Sequence, residues 1–234
     1  MITLDHLTLA YGEKVILSAA NATFGSGTLT ALIGRNGSGK STLLRALAAI
    51  DRPQAGCVTV DGNNLNTLSA DRRAKLISFV STQRVRVANL SCQDVVAIGR
   101  APYTNWLGRM QEQDRQIVNA SLEAVGMTNF ALRSIDSLSD GECQRVMIAR
   151  ALAQQTPVIL LDEPTAFLDI PTRFEICRLL ADLAHSSGKT IIFSTHDIDA
   201  AMPVCDSIAI LNNATLTLHR REQAEEQIKT LFSL

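Results

Sequence analysis

The chemistry of this 234-residue chain is concentrated around Lys40 and the glycines before it. Gly34-Arg35-Asn36-Gly37-Ser38-Gly39-Lys40-Ser41-Thr42 fits the pattern G-x-x-x-x-G-K-S/T of a phosphate-binding loop. Glycine at 34, 37 and 39 permits backbone angles and close approaches that a Cβ forbids. Successive N–H groups can then turn inward around a polyphosphate at a helix N-terminus, where the helix dipole also favours anions. Lys40 supplies a point charge for the β- and γ-phosphates, and the Ser41 hydroxyl a ligand for Mg²⁺. Far downstream, Asp162 and Glu163 follow the apolar run Val158-Ile159-Leu160-Leu161. Two acids beside a buried strand are costly unless their charge is used. A metal held by Asp162, with Glu163 free to polarise a water, uses both. His196 ends another apolar run, Thr190-Ile191-Ile192-Phe193-Ser194, which puts it at the edge where open α/β sheets bind ligands.

These groups need elements to position them. The β-rich run 28–33 enters the loop, and Leu43, Leu44, Leu47 and Ile50 give helical spacing after it. Residues 2–11 and 15–24 read as strands joined by a turn at Gly12, and 57–60 and 76–81 as further short strands. Tyr11 sits at a strand end beside that turn, as a platform for a nucleobase or equally as a half-buried strand tyrosine. From Arg84 to Gln155 the character turns helical. Ser91 caps a helix that Gly99 is expected to end, 112–125 forms a second that stops at Gly126, and 142–153 forms a third. The runs 158–161 and 190–194 are continuous enough for strands buried on both faces of a parallel sheet. A helix at 174–183 separates them, ending at Gly188. Strands at 207–211 and 214–219 and a helix at 222–231 close the chain.

Composition bounds the rest. A net charge of −1 and 4% aromatic residues argue against a protein that coats nucleic acid. Five scattered cysteines without a C-x-x-C pair fit buried thiols in a reducing compartment. No leader pattern is visible, and no stretch approaches the ~20 apolar residues that span a bilayer. A soluble chain is expected, with any membrane role supplied by a partner.

Taken together the motifs resemble, in order and over essentially the full length, those of the ATP-binding cassette (ABC) ATPases. Tyr11 matches the adenine-stacking aromatic, 34–42 the Walker A loop and Gln83 the Q-loop glutamine. Leu138-Ser139-Asp140-Gly141-Glu142 falls at the signature, 158–162 at Walker B with Glu163 next, Ala166-Phe167-Leu168-Asp169 at the D-loop, and His196 at the switch histidine. The resemblance implies an α/β fold: a P-loop NTPase (RecA-like) core, an N-terminal antiparallel β subdomain and an inserted α-helical subdomain. All lie in one domain, with 1–83 and 156–234 as core and 84–155 as the helical lobe.

It further implies ATP and Mg²⁺. Two cassettes, a homodimer or a pair with a sister subunit, would bury two ATP molecules between one subunit's loop and the other's Ser139 and Gly141. The metal would be held by Ser41, Gln83 and, through water, Asp162. Glu163 would be the general base, His196 would contact the γ-phosphate, and Asp169 belongs to the nucleotide-facing set. Asp140 and Glu142 depart from the usual Leu-Ser-Gly-Gly-Gln, and Asp140 is expected to point away from the phosphate because a carboxylate there would repel it. The stretch Val95 to Tyr103 resembles the lobe segment of iron-siderophore, haem and cobalamin importers. The implied role is the energising subunit of an importer. It would dock peripherally on a membrane permease at the cytoplasmic face of the inner or plasma membrane, be fed by a substrate-binding protein and make no contact with nucleic acid. An importer for another substrate, such as a metal ion, or a soluble non-transport ABC ATPase are the alternatives.

Overall fold

The computed structural model describes residues 1–82, 89–104 and 109–232, with residues 231 and 232 described by backbone alone. In chain order, β1 (Ile2–Tyr11) and β2 (Lys14–Phe24) form a hairpin, and β3 (Leu29–Ile33) runs through the glycine loop into α1 (Lys40–Leu47). Then come β4 (Ala55–Val60), β5 (Asn63–Asn64), α2 (Ala70–Ala74) and β6 (Ile77–Val80). Three helices follow, α3 (Cys92–Ala97), α4 (Glu112–Ala124) and α5 (Asp140–Ala153). The chain ends with β7 (Val158–Leu161), α6 (Ile170–Ser187), β8 (Thr190–Ser194), α7 (Ile198–Ala201), β9 (Ser207–Asn212), β10 (Thr215–Arg220) and α8 (Arg221–Phe232).

The strands divide into two sheets. One is antiparallel with order β2-β1-β4-β5, and the other has order β10-β9-β3-β8-β7-β6. In the second, β9, β3, β8, β7 and β6 are parallel, and β10 closes the edge as an antiparallel hairpin on β9. Side chains alternate across this sheet into two separate cores. Leu29, Ala31, Ile159, Leu161, Ile191, Phe193, Ile208 and Ile210 pack on one side with α3 to α6. Leu32, Val158, Leu160, Ile192, Ala209 and Leu211 pack on the other with α1 and the antiparallel sheet. Both faces are covered, so the parallel strands read as unbroken apolar runs and not as alternating ones. The α/β class expected from the sequence is the one observed.

Several boundaries differ from the sequence reading. Gly99 does not stop its helix: the chain continues from α3 into a 3₁₀ segment, Ile98–Tyr103. Glycine is needed there for space, since a Cβ at 99 would lie 2.2 Å from the Arg150 carbonyl oxygen. Helix α5 begins at Asp140, two residues earlier than expected, because Ser139 and Glu142 form a capping box. Helix α6 is longer at both ends, with Asp169 as N-cap, Pro171 in its first turn and Gly188 in the left-handed conformation at its C-cap.

The three helices are tied to one another through one buried cation. Arg100, 4% exposed, ion-pairs with Asp114 at 2.9 Å and donates to the Ala153 carbonyl at 2.7 Å and to Gln155 Oε1 at 2.9 Å. Its guanidinium also lies 4.1 Å from the centroid of the Tyr103 ring. Breaking a buried pair strands a desolvated charge. Asp114→Ala is therefore expected to destabilise the fold by about 3 kcal/mol, read as a lowered urea midpoint; a loss under 1 kcal/mol would show the pair to be effectively solvated.

Candidate functional site

The glycine loop is shaped by contacts its side chains could not make. At Gly34 a Cβ would lie 2.5 Å from the Leu211 carbonyl oxygen, and at Gly39, where φ is +104°, it would lie 2.2 Å from Ile16 Cγ2. Gly39 is the N-cap of α1 and supplies no side-chain acceptor, and no acid stands in the first turn. The first N–H groups of the helix are thus left to an anion. Ser38 Oγ is buried with no hydrogen-bond partner among the described residues, a shortfall that a phosphate oxygen would make good. Lys40 is 7% exposed and donates to the Gly34 carbonyl at 3.0 Å, which aims its ammonium back across the loop.

The carboxylates of β7 arrive at the same place. Ser41 Oγ donates to Asp162 Oδ1 at 3.0 Å, so the helix that starts at Lys40 and the strand that ends at Leu161 are joined at their functional ends. Glu163 adopts φ +50°, in the left-handed region that a side chain makes costly. Its carboxylate lies 3.9 Å from Lys40 Nζ through Oε1 and 2.6 Å from His196 Nδ1 through Oε2. Lys40, Ser41, Asp162, Glu163 and His196 are therefore one connected cluster. The donor set of Ser41 hydroxyl and Asp162 carboxylate is all oxygen, which suits a hard divalent cation.

The cluster opens onto a cleft of about 470 Å³ lined by Tyr11, Lys14, Ile16, the loop residues Asn36 to Thr42, and Glu163. Arg35 sits in the loop's exposed turn, where its carbonyl accepts from Ser38 N–H. Tyr11 is 78% exposed at this rim, which decides against a half-buried strand tyrosine. Lys14 donates to the Gly37 carbonyl at 2.8 Å across the cleft. Sequence reasoning misses Lys14, whose only signal is its place just after the Gly12 turn. It misses Ser194 too, which touches both Asp162 and Glu163. Gln83 lies outside the described residues.

Ser139, Gly141 and Asp169 do not line this cleft. They line a second one of about 350 Å³, with Asp140, Phe167 and Thr172. Ser139 caps α5: its hydroxyl accepts from Glu142 N–H at 3.3 Å and donates to Glu142 Oε2 at 2.8 Å. The Ser139 N–H and that hydroxyl hold the Glu142 carboxyl below the usual range. Asp169 caps α6 through Thr172 N–H at 3.1 Å, and the Thr172 hydroxyl and N–H lower its pKa likewise. A Cβ at Gly141 would lie 2.7 Å from Thr172 Cγ2, so the two helix N-termini meet there. Asp140 is exposed in the first turn of α5 and borders both this cleft and a smaller one that Phe167 also lines.

Comparison with known proteins places the chain. Residues 17–166 match the family model described as "ABC transporter". The iron(3+)-hydroxamate import ATP-binding protein of Bacillus subtilis (strain 168) is 36% identical over 215 residues, 92% of this chain and 80% of that protein. A metal-chelate type ABC transporter in an inward-facing conformation superposes with a TM-score of 0.87 at 30% identity, covering 100% of this chain and 89% of that one. A dimeric ATP-binding cassette in a post-hydrolysis state with ADP and Pi gives 0.79 at 30% identity, over 94% of this chain and 99% of that one. The chain belongs to the ABC transporter family. No helix among the described residues is long and apolar enough to cross a membrane.

The loop's glycines make separable demands. Gly37 has φ +73° with nothing within 4 Å of a built Cβ, whereas Gly39 has both a left-handed φ and a clash. Gly37→Ala should cost about 1 kcal/mol of stability, the ordinary left-handed penalty. Gly39→Ala should cost more and abolish binding of a fluorescent ATP analogue. Equal effects on thermal unfolding and nucleotide binding would contradict this geometry.

Proposed function

We propose that the chain is the ATP-hydrolysing subunit of an importer, working as a dimer on a separate membrane permease. The arrangement that carries the reading is the placement of the Glu163 carboxylate between Lys40 at 3.9 Å and His196 at 2.6 Å, at the mouth of the phosphate loop. In this reading the loop amides 34–42 and Lys40 bind the triphosphate, and Tyr11 stacks on the adenine. Ser41, Gln83 and, through water, Asp162 would hold Mg²⁺, which would neutralise charge on the phosphates. Glu163 takes the proton of the attacking water at its carboxylate, and His196 orients that carboxylate and meets the γ-phosphate. Phosphoryl transfer asks for little covalent work, so positioning and charge stabilisation carry the catalysis.

Two clefts in one chain support the dimer. The loop cleft holds one set of phosphate-facing groups, and Ser139, Gly141 and Asp169 line the other. A head-to-tail pair joins the loop cleft of one copy to the signature cleft of a second copy, giving two composite sites by one symmetric interface. The dimeric cassette with ADP and Pi superposes over 94% of this chain. Residues 84–155 form the lobe of the single domain, inserted between core segments 1–83 and 156–234. The likeness to an iron(3+)-hydroxamate import protein over 92% of the chain supports a ferric chelate as cargo. A permease would hold the subunit at the cytoplasmic face of the membrane, and an external substrate-binding protein would deliver the cargo.

Three measurements test this. Glu163→Gln should keep ATP binding and accumulate an ATP-bound dimer while turnover falls by at least a hundredfold, the usual worth of a positioned base; near-normal turnover would refute the base assignment. Asp140→Gly should leave ATP-driven dimerisation unchanged, whereas a large gain would mean that Asp140 repels the phosphate. Co-purification should recover a permease whose ferric-chelate ligand stimulates ATP hydrolysis. Recovery of ribosomes in its place would overturn the importer role.

A further inference from the structure

Ser194 is the last residue of β8, fully buried, and belongs to neither hydrophobic core. Its hydroxyl donates to Asp162 Oδ1 at 2.7 Å and accepts from the Glu163 N–H at 2.8 Å. The roles are fixed by chemistry: a backbone N–H only donates, so the hydroxyl must accept there and spend its single proton on the carboxylate. Ser194 thus grips both acids at once, one by its side chain and the other by its backbone. We infer that Ser194 is a positioning residue for the hydrolytic centre, setting the Asp162 carboxylate toward the metal and fixing the Glu163 backbone that carries the base.

Two further observations make the grip directional. Among the described residues, the hydrogen bonds to the Asp162 carboxylate both fall on Oδ1, from Ser194 at 2.7 Å and from Ser41 at 3.0 Å. The second oxygen accepts no hydrogen bond among the described residues, which leaves it available to a cation or its water. Glu163 is held at φ +50°, a conformation that a side chain does not choose unaided, and the bond from its N–H to Ser194 is on the adjoining peptide. Thr82 steadies the same peptide from the far side, its hydroxyl donating to the Asp162 carbonyl at 3.1 Å. β7 and β8 are neighbours in parallel register, Leu161 beside Phe193, so the end of β8 is the natural support for the two acids that leave β7. Groups that orient metal-binding carboxylates are worth about ten- to a hundredfold in metal affinity or activity.

The inference rests on the proposed reading of Asp162 as metal carboxylate and Glu163 as base, and its test keeps the two apart. The full chain is compared with Ser194→Ala and Ser194→Thr in three assays. These are binding of a fluorescent ATP analogue in EDTA, Mn²⁺ affinity of the complex with a non-hydrolysable ATP analogue by electron paramagnetic resonance, and kcat with Mg²⁺. Ser194→Ala should bind nucleotide in EDTA within twofold of the parent, showing an intact loop. Its Mn²⁺ affinity and kcat should each fall by about tenfold, and Ser194→Thr, which keeps the hydroxyl, should recover most of both. Unchanged Mn²⁺ affinity and kcat in Ser194→Ala would overturn the inference. So would an equal loss of nucleotide binding in EDTA, which would make Ser194 merely structural. A parent chain that neither binds Mn²⁺ with nucleotide nor hydrolyses ATP would instead overturn the function on which the inference stands.

Discussion

The structure depends on accommodating two carboxylates at the end of a strand that is buried on both faces. Asp162 is 8% exposed and Glu163 follows it directly. An isolated buried carboxylate would neutralise or unfold its surroundings. Here the charge is met by hydroxyls from Ser41 and Ser194, by the Lys40 ammonium and by the His196 ring. Those partners come from α1 and from the end of β8 with the turn after it, two regions distant in sequence from each other and from β7. Holding them within reach of β7 is the geometric demand that the order β3-β8-β7 meets, since both flanking strands end at the same edge of the sheet.

The same edge explains the glycines. β3 must deliver α1 to the carboxylates through a loop that folds tightly over Leu211 and Ile16, and Gly34 and Gly39 are where a Cβ would collide. Ile16 and Lys14 belong to the antiparallel sheet, so that sheet is part of the site's wall and not only a cover for the core.

Much of this is legible in the sequence because the strongest signals are periodic. The unbroken runs at Val158–Leu161 and Thr190–Ser194 report strands that send alternate residues into two cores, and the glycine pattern reports the loop. What escapes has physical causes. Helices α2 and α7, of five and four residues, are too short for a 3.6-residue period to emerge. Gly99 reads as a stop because glycine commonly ends helices, but here it clears space for the Arg150 carbonyl oxygen. The left-handed Glu163 has no sequence signature, since glutamate gains nothing locally from that conformation. Ser194 and Lys14 are ordinary residues at strand ends, and only their three-dimensional neighbours distinguish them. Ser139 and Glu142 do carry the S-x-x-E spacing of a capping box, which attention to phosphate contacts alone overlooks.

That capping box bears on whether the departures in the signature weaken it. Ser139 commits its proton to Glu142, so on the proposed reading its hydroxyl must turn to meet the phosphate of a second copy's nucleotide. Releasing one hydroxyl donor from a carboxylate costs about 1.5–3 kcal/mol, and a hydroxyl bond to a phosphate, also charge-assisted, returns an amount of the same order. The Glu142 carboxylate is not set loose by the exchange, because it also accepts from the Ser139 backbone N–H at 2.8 Å. The helix start stays capped only if Oγ keeps its place and the O–H alone turns, because Oγ also accepts from the Glu142 N–H at 3.3 Å. Glu142 lies in the first turn, where a negative charge is favoured by the helix dipole. On the proposed reading, a glutamate at this position stays anchored by the Ser139 N–H while the Ser139 O–H turns to the phosphate, and the stretch Leu138-Ser139-Asp140-Gly141-Glu142 keeps the hydroxyl and glycine that such a contact would use.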